Sequence, residues 1–341
     1  VAYGKTKTAA QNELDELRKK SPASIDAGKM TVPAYVTHWL DNVHAQAVGK
    51  TSHAPEVGRA NNWLIPHLGP VRLVKLSAVH VEQLYANLEK AGCSTSERKR
   101  CGKLLRQVLK HALEKGLVPT NVATLVPLPK HKPEEIHPLD ADQARKFLDV
   151  CEGHRLYALF VLALDSGMRQ GELFGLQWDD LDFDAGCVQV RHSLAEHNGE
   201  LWIKDVKTKA GRRRIKLAED TIAGLNDHRA AQLAAGHHRA DGVVFLNRQG
   251  GWLRKASVVR NTFQPMLKRA GLPDIRFHDL RHTCATLLLM ADENPKVVQE
   301  RLGHSKIEMT LNTYSHVLPT MQDRAATKMQ AILGGRRKKA T

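Results

Sequence analysis

Several things are missing from this sequence, and each absence closes off a class of protein. The five cysteines, Cys93, Cys101, Cys151, Cys187 and Cys284, are odd in number and scattered, with no C-x-x-C pair among them. That excludes a zinc ribbon and a disulfide framework, and suits thiols kept reduced in a cytoplasmic compartment. No apolar run approaches the roughly 20 residues of a membrane span, and no signal-peptide pattern opens the chain. There is no phosphate-cradling G-x-x-x-x-G-K-[ST] loop for a nucleotide and no H-E-x-x-H helix for a zinc protease. Negative charge is also short: 36 acidic residues face 51 basic ones, a net charge of +15 with a pI near 9.7. Such an excess points to a polyanion, because counterions released from nucleic acid drive the binding of basic proteins.

The excess is shared, +8 over residues 1–127 and +7 over residues 128–341, so both halves are expected to touch nucleic acid. A length of 341 residues suits two domains. Residues 8–20 read as a short helix ending in a basic cluster, followed by a linker. Residues 31–127 read as all-helical: Thr31 caps a stripe of Tyr35, Val36, Trp39, Leu40 and Val43, and Gly69-Pro70, Gly92 and Gly116 end successive helices. The helix over 95–115 crowds Arg98, Lys99, Arg100 and Lys103 into its first turns, which reads as a face for phosphates more than as a solvated surface. Four prolines in residues 126–138 mark a linker and a domain boundary. Beyond it, helices are expected at 140–150, 155–166, 219–235, 256–270, 279–291, 294–302 and 319–333. A strand is expected over 186–193, a turn at Asn198-Gly199 leading into 201–204, and a second hairpin over 206–217 with Ala210-Gly211 near its tip.

Four islands in the second half stand together. They are Ser166-Gly167-Met168-Arg169-Gln170-Gly171-Glu172, Lys207-Thr208-Lys209 ahead of Arg212-Arg213-Arg214, His278-Asp279-Leu280-Arg281-His282, and Gly303-His304 followed by Tyr314-Ser315-His316. Each alone arises often by chance; in this order, in a basic two-domain chain, they form a specific signal. The set resembles the tyrosine recombinases, the phage-integrase family, over about residues 31–330.

That resemblance implies a mainly α fold with small β-sheets, in which two domains clamp a DNA duplex. Residues 31–127 would be a helical core-binding domain and residues 138–330 a mixed α/β catalytic domain. Residues 1–20 would be the last helix of an arm-binding domain, so that the chain is a piece of a longer protein, and residues 331–341 a basic tail. It implies a site-specific integrase of a phage or other mobile element that acts on core-type sites in the cytoplasm of a bacterial host. A homo-tetramer on DNA would carry out the exchange, and accessory bending or directionality factors are possible partners. Tyr314 would be the nucleophile, leaving a 3′-phosphotyrosyl link and a free 5′ hydroxyl, with no metal, cofactor or ATP. A metal-free enzyme must meet the charge that develops on phosphorus with fixed cations, and the rigid donor fork of a guanidinium suits the task. In the resemblance Arg169 and Arg281 fill that role, His304 hydrogen-bonds the phosphate, His278 serves as general base or proton relay, and Lys207 protonates the leaving oxygen, with Lys209 its rival. Arg212, Arg213 and Arg214 would touch DNA beside that lysine, Glu172 would hold Arg169 one helical turn away, and His282 would be structural.

Other readings stand beside these. His278 and His282 lie four apart as metal ligands would, but the cationic Arg281 between them opposes a metal. A type IB topoisomerase shares the chemistry, and a DNA-binding regulatory protein with a dead site is the reading from another class. The helix over 319–333 packs either on its own domain or on a neighbouring protomer.

Overall fold

The computed structural model describes residues 28–130, 137–206, 210–237, 239, 241–314 and 318–333. The expected helix at 8–20, Lys207, Lys209 and the tail beyond Leu333 lie outside the described residues. The chain divides into two compact units, residues 1–134 and 135–341.

The first unit is helical. Thr31 caps α1 (Val32–Trp39) by accepting the Ala34 amide, and Pro33 sits in the first turn, where its missing N–H costs nothing. A π-helical turn, Leu40–His44, extends α1. Next come α2 (Lys50–Arg59), α3 (Ala78–Lys90) and α4 (Thr95–Glu114). Their apolar stripes meet in one core built on Tyr35, Val36, Leu64, Leu84, Leu88, Leu104 and Val108. The Tyr35 hydroxyl is satisfied inside it by a 2.8 Å bond to His111 Nδ1.

The second unit packs helices around two small antiparallel sheets. Its helices are α5 (Ala141–Cys151), α6 (Tyr157–Ser166), α7 (Gln170–Phe174) and α8 (Glu219–Ala234). They continue with α9 (Lys255–Val258, a π-turn Val259–Phe263, then Gln264–Arg269), α10 (Asp279–Met290), α11 (Pro295–Leu302), α12 (Ile307–Thr313) and α13 (Leu318–Leu333). Phe147, Phe160, Phe174, Phe263 and Phe277 tile the centre, several of them edge to face. A separate small cluster of Ala285, Leu289, Val298, Leu302 and Tyr314 joins α10, α11 and the end of α12.

The strands depart from the local reading. The expected strand over 186–193 is two strands in different sheets: β2 (Cys187–Val190) pairs with β1 (Leu181–Asp182), and β3 (His192–His197) pairs with β4 (Glu200–Asp205). Asn198 and Gly199 both have positive φ, 47° and 81°, as a two-residue turn matching strand twist requires. The expected second hairpin over 206–217 does not form around Ala210-Gly211 among the described residues. Instead β5 (Arg213–Lys216) crosses to β2, placing Ile215 opposite Val188. That register buries both side chains in the main core, a gain that local alternation cannot reveal. The β3–β4 ribbon lies so close on α7 that a Cβ at Gly175 would meet the Leu194 amide nitrogen at 2.5 Å, so only glycine fits there.

Candidate active site

The site is assembled where α6 ends and α10, α11 and α12 come together. Gly167, in the left-handed region at φ 63°, ends α6 and turns the chain so that Arg169 caps α7. Three residues on, Glu172 is only 3% exposed and accepts three bonds. Arg169 gives it the backbone N–H at 2.9 Å and Nη1 at 2.8 Å, and Arg213 gives it Nη2 at 2.9 Å. Arg169 also donates to the Gly303 carbonyl at 3.2 Å. Gly303 adopts φ 68°, and a Cβ there would meet the Ala210 carbonyl oxygen at 2.6 Å, so the turn that carries His304 depends on glycine.

Arg281 rises from the first turn of α10 into the interior, 3% exposed. It donates Nη1 to the Gly167 carbonyl at 2.7 Å, while Nη2 is buried with no hydrogen-bond partner among the described residues. Burial, then the neighbouring charges of Arg169 and Arg213, push its pKa down to about 9. It is still a cation at neutral pH, but one short of negative charge.

Three histidines surround it. His278, at the N-cap of α10 with its ring open to solvent on one side, is lowered in pKa by the protein mass behind it and then by Arg281. Burial and the positive charge of Arg281 and Arg169 bring His304 to about 4, and its Nδ1 bonds Thr310 Oγ1 at 2.8 Å. His282 falls to about 4 through burial and then His278, whose ring meets it edge-on at 5.1 Å. All are neutral at pH 7, so each ring can both donate and accept.

Tyr314 closes α12. Its ring is 1% exposed in the small cluster, and its hydroxyl lies 2.8 Å from His282 Nδ1. Burial raises the phenol pKa, against the pull of Arg281. The structure therefore brings together Arg169, His278, Arg281, His304 and Tyr314. Lys207, the expected proton donor, lies outside the described residues.

Two of the residues expected to meet phosphates have their side chains engaged within the protein. Arg213 points inward, its side chain 6% exposed, and its donors are spent on Glu172, the Arg301 carbonyl at 2.6 Å and the Gly211 carbonyl. Arg98 is largely covered and bonded to Glu89 and Thr95. Exposure remains for Lys103, for Arg100 and for Arg212 and Arg214, the last three near acidic neighbours, while Lys99 is half-buried. The local reading also passed over the part Glu172 plays for Arg213 and the contact of His282 with Tyr314. Both contacts join residues more than thirty positions apart, so local spacing carried no signal for either.

Because Glu172 faces two arginines, one of them buried, Glu172→Gln is expected to cost about 3 kcal/mol in a urea titration, most of it from the stranded Arg213. The exposed half of Arg169 adds little. Burial opposes ionisation of Glu172, but Arg213 and Arg169 outweigh it and hold the pKa below its ordinary value. This stabilisation is complete above about pH 4.3 and is lost as pH falls through the lower folded value. Stability of the wild type should fall more steeply with acid than that of Glu172→Gln; parallel curves would remove the ion pair from the account.

Among the described residues, no group of three or more His, Cys, Asp or Glu is placed to hold a metal ion, and no helix is long and apolar enough to cross a membrane.

Residues 137–321 match the sequence profile of the phage integrase family. A protein called tyrosine recombinase XerC-like, from Caldanaerobacter subterraneus subsp. tengcongensis, is 29% identical over 97% of this chain and 91% of its own length. The Tn1549 transposon integrase, solved in complex with a circular intermediate DNA, superposes with a TM-score of 0.75 at 23% identity, over 87% of this chain and 99% of that one. A lambda integrase dimer bound to a COC′ core site gives 0.63 at 15% identity, over 90% and 86%. These last two likenesses concern the fold.

Proposed function

The chain belongs to the phage integrase family, and from that premise we propose that it is a tyrosine site-specific recombinase that cuts and rejoins duplex DNA. The observation that carries the reading is the buried Arg281, whose Nη2 has no acceptor among the described residues and whose charge bears on the Tyr314 phenol. A guanidinium so deprived is matched to a phosphate oxygen. In this reading the Tyr314 oxygen attacks phosphorus, and Arg169, Arg281 and His304 take up the charge that develops on the phosphoryl oxygens. Lys207 protonates the departing 5′ oxygen. The bond energy stays in the 3′-phosphotyrosyl link, so a 5′ hydroxyl from a partner strand reseals the DNA without ATP or metal. Lys99, Arg100 and Lys103 of the first unit, with Arg212 and Arg214 of the second, are the proposed phosphate contacts. The exchange would need a homo-tetramer on core-type sites, within a host cytoplasm where the five buried thiols stay reduced.

The test is a pool of nicked duplexes of randomised sequence, incubated with the protein in EDTA. The nick lets the short cleaved strand escape and traps the covalent link. A denaturation-resistant protein–DNA adduct, whose enriched sequences reveal the site, is expected. An adduct that appears only with added metal, or none across the pool, removes the reading.

A further inference from the structure

The partner of the Tyr314 hydroxyl in this fold is His282, one turn beyond His278 on α10. The two rings stand 5.8 Å apart at 57°, so the contact runs through the polar atoms and not through ring stacking. Tyr314 is fixed on the other side by its backbone N–H to the Thr310 carbonyl, and Thr310 is itself tied to His304. The phenol therefore has little freedom to turn its oxygen elsewhere while α12 stays in place. His278 touches His282 and not the phenol.

We propose that His282 is a catalytic residue, the acceptor of the nucleophile's proton, in the tautomer that carries hydrogen on Nε2 and leaves Nδ1 free. This deepens the recombinase reading and rests on it. The Tyr314 oxygen bonds to phosphorus, the bond from phosphorus to the 5′ oxygen breaks, the phenolic proton moves to His282 Nδ1, and Lys207 gives a proton to the 5′ oxygen. Religation reverses each transfer, with imidazolium returning the proton to the departing phenol.

The timing follows from the surroundings. With the phenol raised by burial and the imidazole lowered to about 4, transfer before attack is far uphill. As the oxygen bonds to phosphorus its proton becomes strongly acidic, and a neutral Nδ1 already at 2.8 Å can take it without rearrangement. The same low pKa that makes His282 a weak base keeps the ring neutral at neutral pH, so that one nitrogen carries a lone pair.

The test compares His282→Phe, which fills the space but accepts nothing, with His282→Asn, whose amide oxygen accepts a hydrogen bond but is no base. Adduct formation on a nicked duplex recovered from the randomised pool is expected to fall about 100-fold for Phe and about tenfold for Asn, at equal DNA affinity. In the Phe variant, phenolate must form before attack, so its rate should climb about tenfold per pH unit below the phenol pKa, unlike the wild type. A 5′-bridging phosphorothiolate, whose sulfur leaves without an acid, should restore Lys207→Ala and leave His282→Phe slow. A Phe variant that melts normally and matches the wild type, or one repaired by the phosphorothiolate, overturns the assignment of His282. A wild type that yields no adduct at all overturns the recombinase reading first, and this assignment with it.

Discussion

Tyr314→Phe will form no covalent adduct on any nicked duplex, while its DNA affinity and fold stay close to those of the wild type. The aromatic ring carries the structural work: it is packed with Ala285, Leu289, Val298 and Leu302, and phenylalanine keeps that packing. What is lost is one hydrogen bond, to a half-buried histidine, worth about 1 kcal/mol. For a domain of this size that lowers the melting temperature by about 2–4 °C. The strongest other nucleophile among the described residues beside the phenol, Cys284, is no substitute: it is buried behind the site, bonded to the Asp165 carbonyl, and raised to about 11. A denaturing gel of adduct formation and a binding titration, run on the same preparations, check both halves. An adduct that survives the substitution assigns the attack to a different residue.

Arg281→Met should lower the adduct rate at saturating DNA by about 100- to 1,000-fold, the usual cost of removing one donor from a charge-stabilising site. Its effect on stability runs the other way from that of most buried substitutions. Arg281 is a buried cation on which the repulsion of Arg169 and Arg213 outweighs the attraction of Glu172, and among the described residues one of its donors has no partner. A base whose folded pKa lies below its unfolded one withdraws stability at every pH under the folded value, so replacing it with a flexible apolar chain returns some of that. Against this stands the bond to the Gly167 carbonyl, worth about 1.5–3 kcal/mol as a charge-assisted contact. The melting temperature is therefore expected to stay level or rise while the activity collapses, the pattern of a residue kept for function at a cost in stability. A fall of more than about 8 °C would make Arg281 a structural residue.

Much of the helical framework was legible from local chemistry. Thr31 caps α1, Gly92 and Gly116 follow α3 and α4, and the apolar positions of α4 face the first core, because caps and a 3.6-residue period act within a few residues of one another. The Asn198-Gly199 turn was legible for the same reason. The partner of β5 was not: Arg213–Lys216 joins β2 across more than twenty residues of chain, and the reward is burial of Ile215 in a core that forms only when the whole unit closes.

Residue types, their order and their spacing along the chain carried the chemistry: two arginines, two histidines, a lysine and a tyrosine suited to phosphoryl transfer, in a polypeptide basic enough to seek a polyanion. Direction came from packing alone. Arg213 and Arg214 are neighbours in sequence, yet the pleat sends one inward to Glu172 and leaves the other in solvent. His278 and His282 share a helix, yet only the ring one turn further in reaches the phenol. A side chain's reach depends on which face of its element is buried and against what, and that is settled by contacts between residues far apart along the chain.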